Sequence, residues 1–292
     1  MSLASKFRNL LTVISPTLHA YVVYFFKYKK PLHLNPPKTF SEKVIWLKLK
    51  DYNSNPLVKQ CADKYAVRGY VEEKGLKSLL NDLIGVYDSP EEIKWEDLPD
   101  RFAIKLNTGC GCNYICKDKN AQDERQVYDK LHSWMKTNHW IGYAEMQYKT
   151  EKKLLVEKYL SDSSGNPPVD YKVYCFNGKP VLVFYLCGRF SGEMHGGFFD
   201  PDWNYLGIGK EAYIKPLTED EIPKRPRSLE TMFDAAKKLS QPFPFVRIDF
   251  YDVDGRAMFG EMTFTPRGGF EVSECDINGK TMAELLTLPS KK

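Results

Sequence analysis

The sequence predicts an α+β fold, helical in its first third and sheet-rich thereafter. Three patterns carry this expectation. Apolar positions before residue 100 mostly recur at helical spacing; apolar runs after Phe102 are short and extended; two alternating runs, 245–251 and 258–263, flank an Asp254-Gly255 turn. The last pattern is that of a β-hairpin, because Asp-Gly tolerates the positive φ of a tight turn. The chain has 292 residues, 42% apolar and 27% charged, enough for one large domain or two closely joined ones. Its 42 basic and 38 acidic residues leave a net charge of +4, which is no nucleic-acid footprint. Seven cysteines, an odd count in so long a chain, argue against a disulfide framework and for a reducing, cytoplasmic setting.

In chain order, the first segment of note is 18–26, apolar and aromatic, followed by Lys27, Lys29 and Lys30. It is too short for a bilayer, which takes roughly 20 residues. It reads as a packed helix, with an aromatic-basic helix in peripheral contact with a membrane as the alternative. Residues 1–16 lack the apolar core and cleavage site of a secretory signal. Ser41-Glu42-Lys43 opens a helix behind Pro36-Pro37, and a second helix is expected over 56–74. Residues 79–86 read as a short strand, and Ser89-Pro90-Glu91-Glu92 as a helix start. Strands at 102–107 and 114–116 then enclose a Gly-containing loop, before a helix over 123–138 and a buried strand over 154–160. A hairpin turns at Asn177-Gly178 between 170–176 and 180–187. A loose Gly-rich passage, 188–210, and a polar linker lead to a helix over 228–239 and the final hairpin.

Several residues on these elements carry chemistry. Alternation puts Arg247 and Asp249 on one face of their strand, and Glu261 and Thr263 on one face of the next. Clustered carboxylates are costly unless a cation sits between them. Mg²⁺ suits such a site, since it takes one or two carboxylates plus substrate phosphates. A solvated salt bridge is the bland alternative. Lys105 feeds the loop Asn107-Thr108-Gly109-Cys110-Gly111, whose glycines let backbone amides approach phosphates; alone, it reads as an ordinary hairpin loop. Glu157-Lys158-Tyr159-Leu160 ends a strand where backbone groups can meet an adenine edge, or is simply a core strand. Asp170 and Lys172 share a face suited to a ribose and a phosphate, or to a cross-strand charge pair. Cys110, Cys112 and Cys116 match no usual zinc spacing. His195 lies in a Gly-rich stretch, near a substrate or merely at the surface. Neither a Gly-x-Ser-x-Gly elbow nor a His-Glu-x-x-His helix is present.

The order of these features resembles the ATP-grasp superfamily, and within it the TupA-like branch from bacterial surface-polysaccharide gene clusters. The matching segments are Thr39-Phe40-Ser41-Glu42-Lys43 with Trp46, Ala62-Asp63-Lys64-Tyr65-Ala66-Val67-Arg68, 102–119, Asp170-Tyr171-Lys172-Val173 with Phe176-Asn177-Gly178, and 247–269. The resemblance implies a nucleotide held between two α+β lobes: a helical region over 1–100, a small lobe with the Gly loop over 101–160, and a large lobe with the metal hairpin over 161–292. It implies that Lys105 meets the α/β-phosphates under the loop of Gly109 and Gly111. Glu157, Lys158, Tyr159 and Leu160 become the adenine hinge, with Asp170 at the ribose and Lys172 at the phosphates. Asp249, Glu261 and Thr263 become the Mg²⁺ position, and Arg247 steadies the γ-phosphate or an acyl phosphate. The chain departs from the common Glu-x-Asn ending by having Glu261-Met262-Thr263.

By the same resemblance, the expected activity is ATP- and Mg²⁺-dependent ligation of a carboxylate to an amine through an acyl phosphate. Arg189, His195 and Arg267 are the candidates for gripping the substrates, which are small or glycan-linked. The expected setting is attachment of an amino acid to a uronic acid in capsule, O-antigen or teichuronic-type polysaccharide synthesis, in the cytoplasm or at the inner face of the membrane. The alternatives are a sugar-directed phosphotransferase, a glycosyltransferase and a non-catalytic ATP-binding module.

Overall fold

The computed structural model describes residues 3–188, 192–208, 214–270 and 275–290. Arg189 lies outside them. Five helices come first: α1 (Leu3–Ile14), α2 (Pro16–Tyr28), α3 (Phe40–Leu47), α4 (Pro56–Ala62) and α5 (Val67–Glu73). Ser15 caps α2 ahead of a proline in its first turn, and Thr39 and Glu42 form a capping box on α3. The single helix expected over 56–74 is two. Asp63 breaks the ladder because its Oδ1 accepts from the amides of Tyr65 and Ala66, at 2.8 and 3.0 Å. Among the described residues, no helix is long and apolar enough to cross a membrane.

A four-stranded antiparallel sheet follows, ordered β1-β4-β2-β3, from β1 (Leu83–Tyr87), β2 (Phe102–Leu106), β3 (Asn113–Cys116) and β4 (Leu154–Lys158). β1 thus pairs within this sheet although it precedes residue 101. Helix α6 (Glu124–Lys136) packs Val127, Leu131 and Trp134 against Phe102, Ile104 and Val156 of the sheet, and the short α7 (His139–Gly142) follows. Residues 89–92 form one 3₁₀ turn, Pro90–Glu92, instead of opening a helix.

The second sheet runs β11-β10-β5-β6-β7-β8. Its strands are β5 (Val169–Phe176), β6 (Lys179–Cys187), β7 (His195–Phe199), β8 (Tyr205–Gly207), β9 (Lys215–Pro216), β10 (Phe245–Val253) and β11 (Arg256–Thr263), with β9 pairing parallel to β7. Helix α8 (Leu229–Ser240) packs on one face through Met232, Ala235, Ala236 and Leu239, and α9 (Met282–Leu285) lies near the end. The passage 188–210 is therefore not wholly loose, as β7 and β8 occupy part of it. Two of its glycines serve packing: a Cβ on Gly196 would lie 2.5 Å from the Tyr185 carbonyl oxygen, and one on Gly197 2.2 Å from the Tyr205 ring.

Candidate active site between the two sheets

The final hairpin pairs Arg247 with Thr263 and Asp249 with Glu261, so the two same-face pairs that alternation predicts meet across the strands. A bulge at Gly260 then shifts the register, so that Phe259 pairs with Phe250, on the opposite face, while Glu261 stays beside Asp249. A Cβ at Gly260 would lie 2.9 Å from the Asp249 carbonyl oxygen, which is why this position is glycine. The register continues from Asp249 to Lys172 and on to Phe184, and from Tyr251 to Asp170 and Leu186. One row of the sheet therefore reads Glu261, Asp249, Lys172, Phe184.

Ion pairs lock that row. Arg247 donates to both Asp249 oxygens at 2.7 and 2.8 Å, and Lys172 Nζ donates to Oδ2 at 2.6 Å. Lys172 also lies 3.7 Å from Asp170, and Lys64 lies 3.6 Å from Glu261. Burial alone would raise the Asp249 carboxyl, but Arg247 and Lys172 overcome it and hold it down to about 2. At Glu261 burial is likewise outweighed by Lys64 and Arg247, so that its carboxyl sits below the usual range despite Asp249 beside it. Thr263 Oγ1 accepts from Arg247 at 3.1 Å and donates to Glu261 at 3.3 Å. Its hydroxyl is thus used in placing the Glu261 carboxylate.

Two cavities adjoin this row. One, of about 660 Å³, is walled by Ala103, Lys105, Ile115 and Glu157 of the small sheet, by Lys158, Tyr159 and Leu160, and by Asp170, Leu186 and Tyr251 of the large sheet. The other, of about 290 Å³, is lined by Lys172, Arg247, Asp249, Glu261 and Arg267. They share Gly111, Asn113, Asp170, Leu186 and Tyr251, so they form one continuous cleft. Lys105 and Glu261 also line a small space between them.

Lys105 Nζ donates to Glu157 at 2.6 Å, and Arg68 lies 3.8 Å from the other oxygen. Burial would raise the Glu157 carboxyl; Lys105 chiefly, and Arg68 behind it, bring it below the ordinary value. Glu157 is thus the counter-ion of Lys105, a role the sequence did not mark. At Lys158 the backbone N–H donates to the Asp82 carbonyl at 3.0 Å and the C=O accepts from Asn81 at 2.8 Å, while the side chain is exposed. Tyr159 lies under the Arg101 guanidinium at 4.2 Å, with its hydroxyl buried and unpartnered.

The Gly loop is pinned at Asn107, whose amide donates to Asp63 and to the Glu151 carbonyl and accepts from Lys153. Gly109 has φ +72°, and its carbonyl accepts from Lys64 at 2.5 Å. Gly111 has φ +81° with open space around its Cα. Arg267 sits in the turn after β11. The buried Lys48 braces that turn by donating to the carbonyls of Gly268 and Tyr143, at 2.6 and 2.8 Å. Burial pushes the Lys48 ammonium down to about 8. His195 is not in a loop but heads β7; its ring meets Glu221 at 2.8 Å and Glu193 at 3.8 Å, and it lines neither cavity. Lys64, Asn113 and Tyr251 line the cleft without having been expected there. The spacing of Lys64 and Arg68 was the available clue, hidden by the helix break at Asp63.

Two sheets gripping one cleft, with a glycine loop over it and an acid–base row beneath, make the ATP-grasp fold. The chain belongs to the TupA-like ATPgrasp family, whose profile matches residues 42–284. Among solved structures it is similar to D-alanine–D-alanine ligase from Bacillus anthracis complexed with ATP, with 14% identity, 70% of this chain and 55% of that one covered, and a TM-score of 0.41. It is also similar to D-alanine–D-alanine ligase from Helicobacter pylori (14%, 72% and 55%, 0.39). A third is the ATP-grasp ligase PsnB complexed with minimal precursor (14%, 82% and 64%, 0.42). The chain thus spans between about half and two thirds of the length of these structures. No curated protein matches it.

Proposed function

We propose that this chain is an ATP- and Mg²⁺-dependent carboxylate–amine ligase that works through an acyl phosphate. The observation carrying this reading is the row Glu261, Asp249, Lys172 with Arg247, set beside a cavity large enough for a nucleotide. In it the adenine lies against Tyr159 and Leu160, the ribose near Asp170, and the phosphates run under Gly109 and Gly111 past Lys105 toward Lys172. We draw the small lobe as 101–160 with Leu83–Tyr87 added, and the large lobe as 161–292.

The residues fit Mg²⁺. Glu261 and Asp249 are cross-strand neighbours; Asp249 Oδ1 accepts one bond, from Arg247, and Glu261 Oε1 one, from Thr263, so each keeps a lone pair for the ion, whereas Asp249 Oδ2 already accepts two. Bound there, the ion would neutralise charge on the transferring phosphoryl group. Thr263 would serve the ion by placing Glu261 through their hydrogen bond. Lys172 and Arg247 supply further positive charge where negative charge develops in the transfer. The substrate carboxylate attacks the γ-phosphorus and ADP leaves; the amine then attacks the acyl carbon, phosphate departs, and the amine loses a proton. Arg267 is the candidate grip on the substrate carboxylate, and Arg189 stays a candidate beside it. His195 is held by its glutamates at the edge of β7 and drops out of this scheme.

The substrates follow from the family resemblance: an amino acid joined to a uronic acid of a surface polysaccharide, in the cytoplasm. Incubation with ATP, mixed uronic acids and amino acids, followed by mass spectrometry, tests this. ADP and phosphate should appear only when acid and amine are both present. ADP with phosphate retained on a sugar would make the chain a phosphotransferase; binding without turnover would make it an ATP-binding module.

A further inference from the structure

We propose that the outer face of α1 and α2 docks on an anionic lipid bilayer and lies flat on it. On α1 the exposed apolar residues are Leu3, Phe7, Leu10 and Ile14, at the spacing of one helical stripe, with Val13 beside them. On α2 they are Leu18, Tyr21, Phe25 and Phe26. Leu3 is 86% exposed and Phe26 65%, so together they make a large unpartnered apolar surface.

This pair of helices is fixed on its inner side. Thr12 donates to the Ile141 carbonyl at 2.7 Å, His19 meets the Gly142 carbonyl at 3.3 Å, and Lys27 donates to the Phe270 carbonyl. The inner face therefore belongs to the fold, which leaves the outer face for something else. Phe270 is three residues beyond Arg267, so that face and the Arg267 end of the cleft rest on one support.

Charge identifies the occupant. Residues 3–41 contain Lys6, Arg8, Lys27, Lys29, Lys30 and Lys38 and not one aspartate or glutamate. Lys6, Lys29 and Lys30 are exposed beside the aromatic residues. Aromatic and aliphatic side chains ringed by lysines match the interface of an anionic membrane, where apolar groups enter the acyl boundary and lysines meet the headgroups. A second copy docked by two-fold symmetry would set this cationic face against itself. The helices have 12 and 13 residues, roughly 18 and 20 Å at about 1.5 Å each, short of the roughly 30 Å of a bilayer core. They lie on it and do not cross it.

Flotation of the full chain with lipid vesicles at about 0.1 M salt tests the proposal. The chain should float with phosphatidylcholine vesicles containing about a quarter phosphatidylglycerol, and not with pure phosphatidylcholine. Raising the salt to about 0.5 M should release it. Lys29→Ser with Lys30→Ser should lower partitioning at least about tenfold, each lysine being worth about fivefold. Phe7→Ser with Phe25→Ser and Phe26→Ser should abolish flotation while thermal unfolding and ATP binding stay as in the parent chain. The proposal is overturned if the parent chain floats with neither vesicle, or if the phenylalanine variant floats equally well. It is also overturned if sedimentation shows a dimer that the phenylalanine variant dissolves, which would assign the face to a second copy.

Discussion

Replacing Asp249 with asparagine probes the ion row at its centre. The carboxylate is 4% exposed, accepts two bonds from Arg247 and one from Lys172, and is held at about 2, against an ordinary aspartate value of 3.8. That difference corresponds to about 2 kcal/mol favouring the ionised form, at 1.36 kcal/mol per pKa unit. Asparagine forfeits it and leaves two cations beside each other, so the total cost is on the order of 3 kcal/mol. For a chain of this length that is a fall of about 5 °C in Tm. The sign with pH is fixed, because the folded pKa lies below the unfolded one. The contribution is complete above about pH 5, about half gone by pH 3, and lost as pH falls through the folded value. Urea denaturation of both chains between pH 7 and pH 3 is the assay. The gap should be widest at neutrality and narrow on acidification; a gap under about 1 kcal/mol at pH 7, or one indifferent to pH, would refute the reasoning.

Other perturbations address the rest of the cleft. Lys105→Ala removes a charged donor and should raise the Kd for ATP roughly 10- to 100-fold by calorimetry; an unchanged affinity would remove Lys105 from the phosphate path. Thr263→Val keeps the shape and deletes the bond that places Glu261. The Mg²⁺ concentration for half-maximal ADP formation should rise about tenfold, with metal-free nucleotide binding unchanged; equal Mg²⁺ dependence would contradict this. Gly109→Ala would drive a Cβ to 2.2 Å from the His139 ring at φ +72°, whereas Gly111→Ala at φ +81° meets nothing. Gly111→Ala should cost about 1 kcal/mol of backbone strain and Gly109→Ala about 2 kcal/mol more, read from urea unfolding; equal losses would be the disproof.

The final hairpin was legible because the two strands alternate cleanly and Asp254-Gly255 marks the turn, but counting outward from that turn sets Asp249 opposite Gly260, and only the bulge brings Glu261 beside it. The hairpin at Asn177-Gly178 was legible for the same reason. The bulge at Gly260 was not, since period-two counting carries no notice that a strand will take an extra residue. Tertiary context hid the rest. Lys64 reaches the cleft only because Asp63 stops a helix that propensity would continue. Gly196 and Gly197 looked like loop and are strand, because their meaning depends on rings and carbonyls brought in by β6 and β8. His195 was placed among the substrate residues on the strength of that apparent loop. The pairing of Glu157, expected at an adenine hinge, with Lys105 was also hidden, because it is set by β2 lying against β4.

The resting ion pairs of the cleft have one more consequence. Lys105 is engaged by Glu157, and Lys172 and Arg247 are engaged by Asp249, so an arriving anion must compete for them with carboxylates already in place. A lone phosphate gains little from that contest, while an anion escorted by a divalent cation satisfies both sides of each parted pair. On the proposed reaction the contest would run in reverse after cleavage of the triphosphate, with the carboxylates reclaiming their partners.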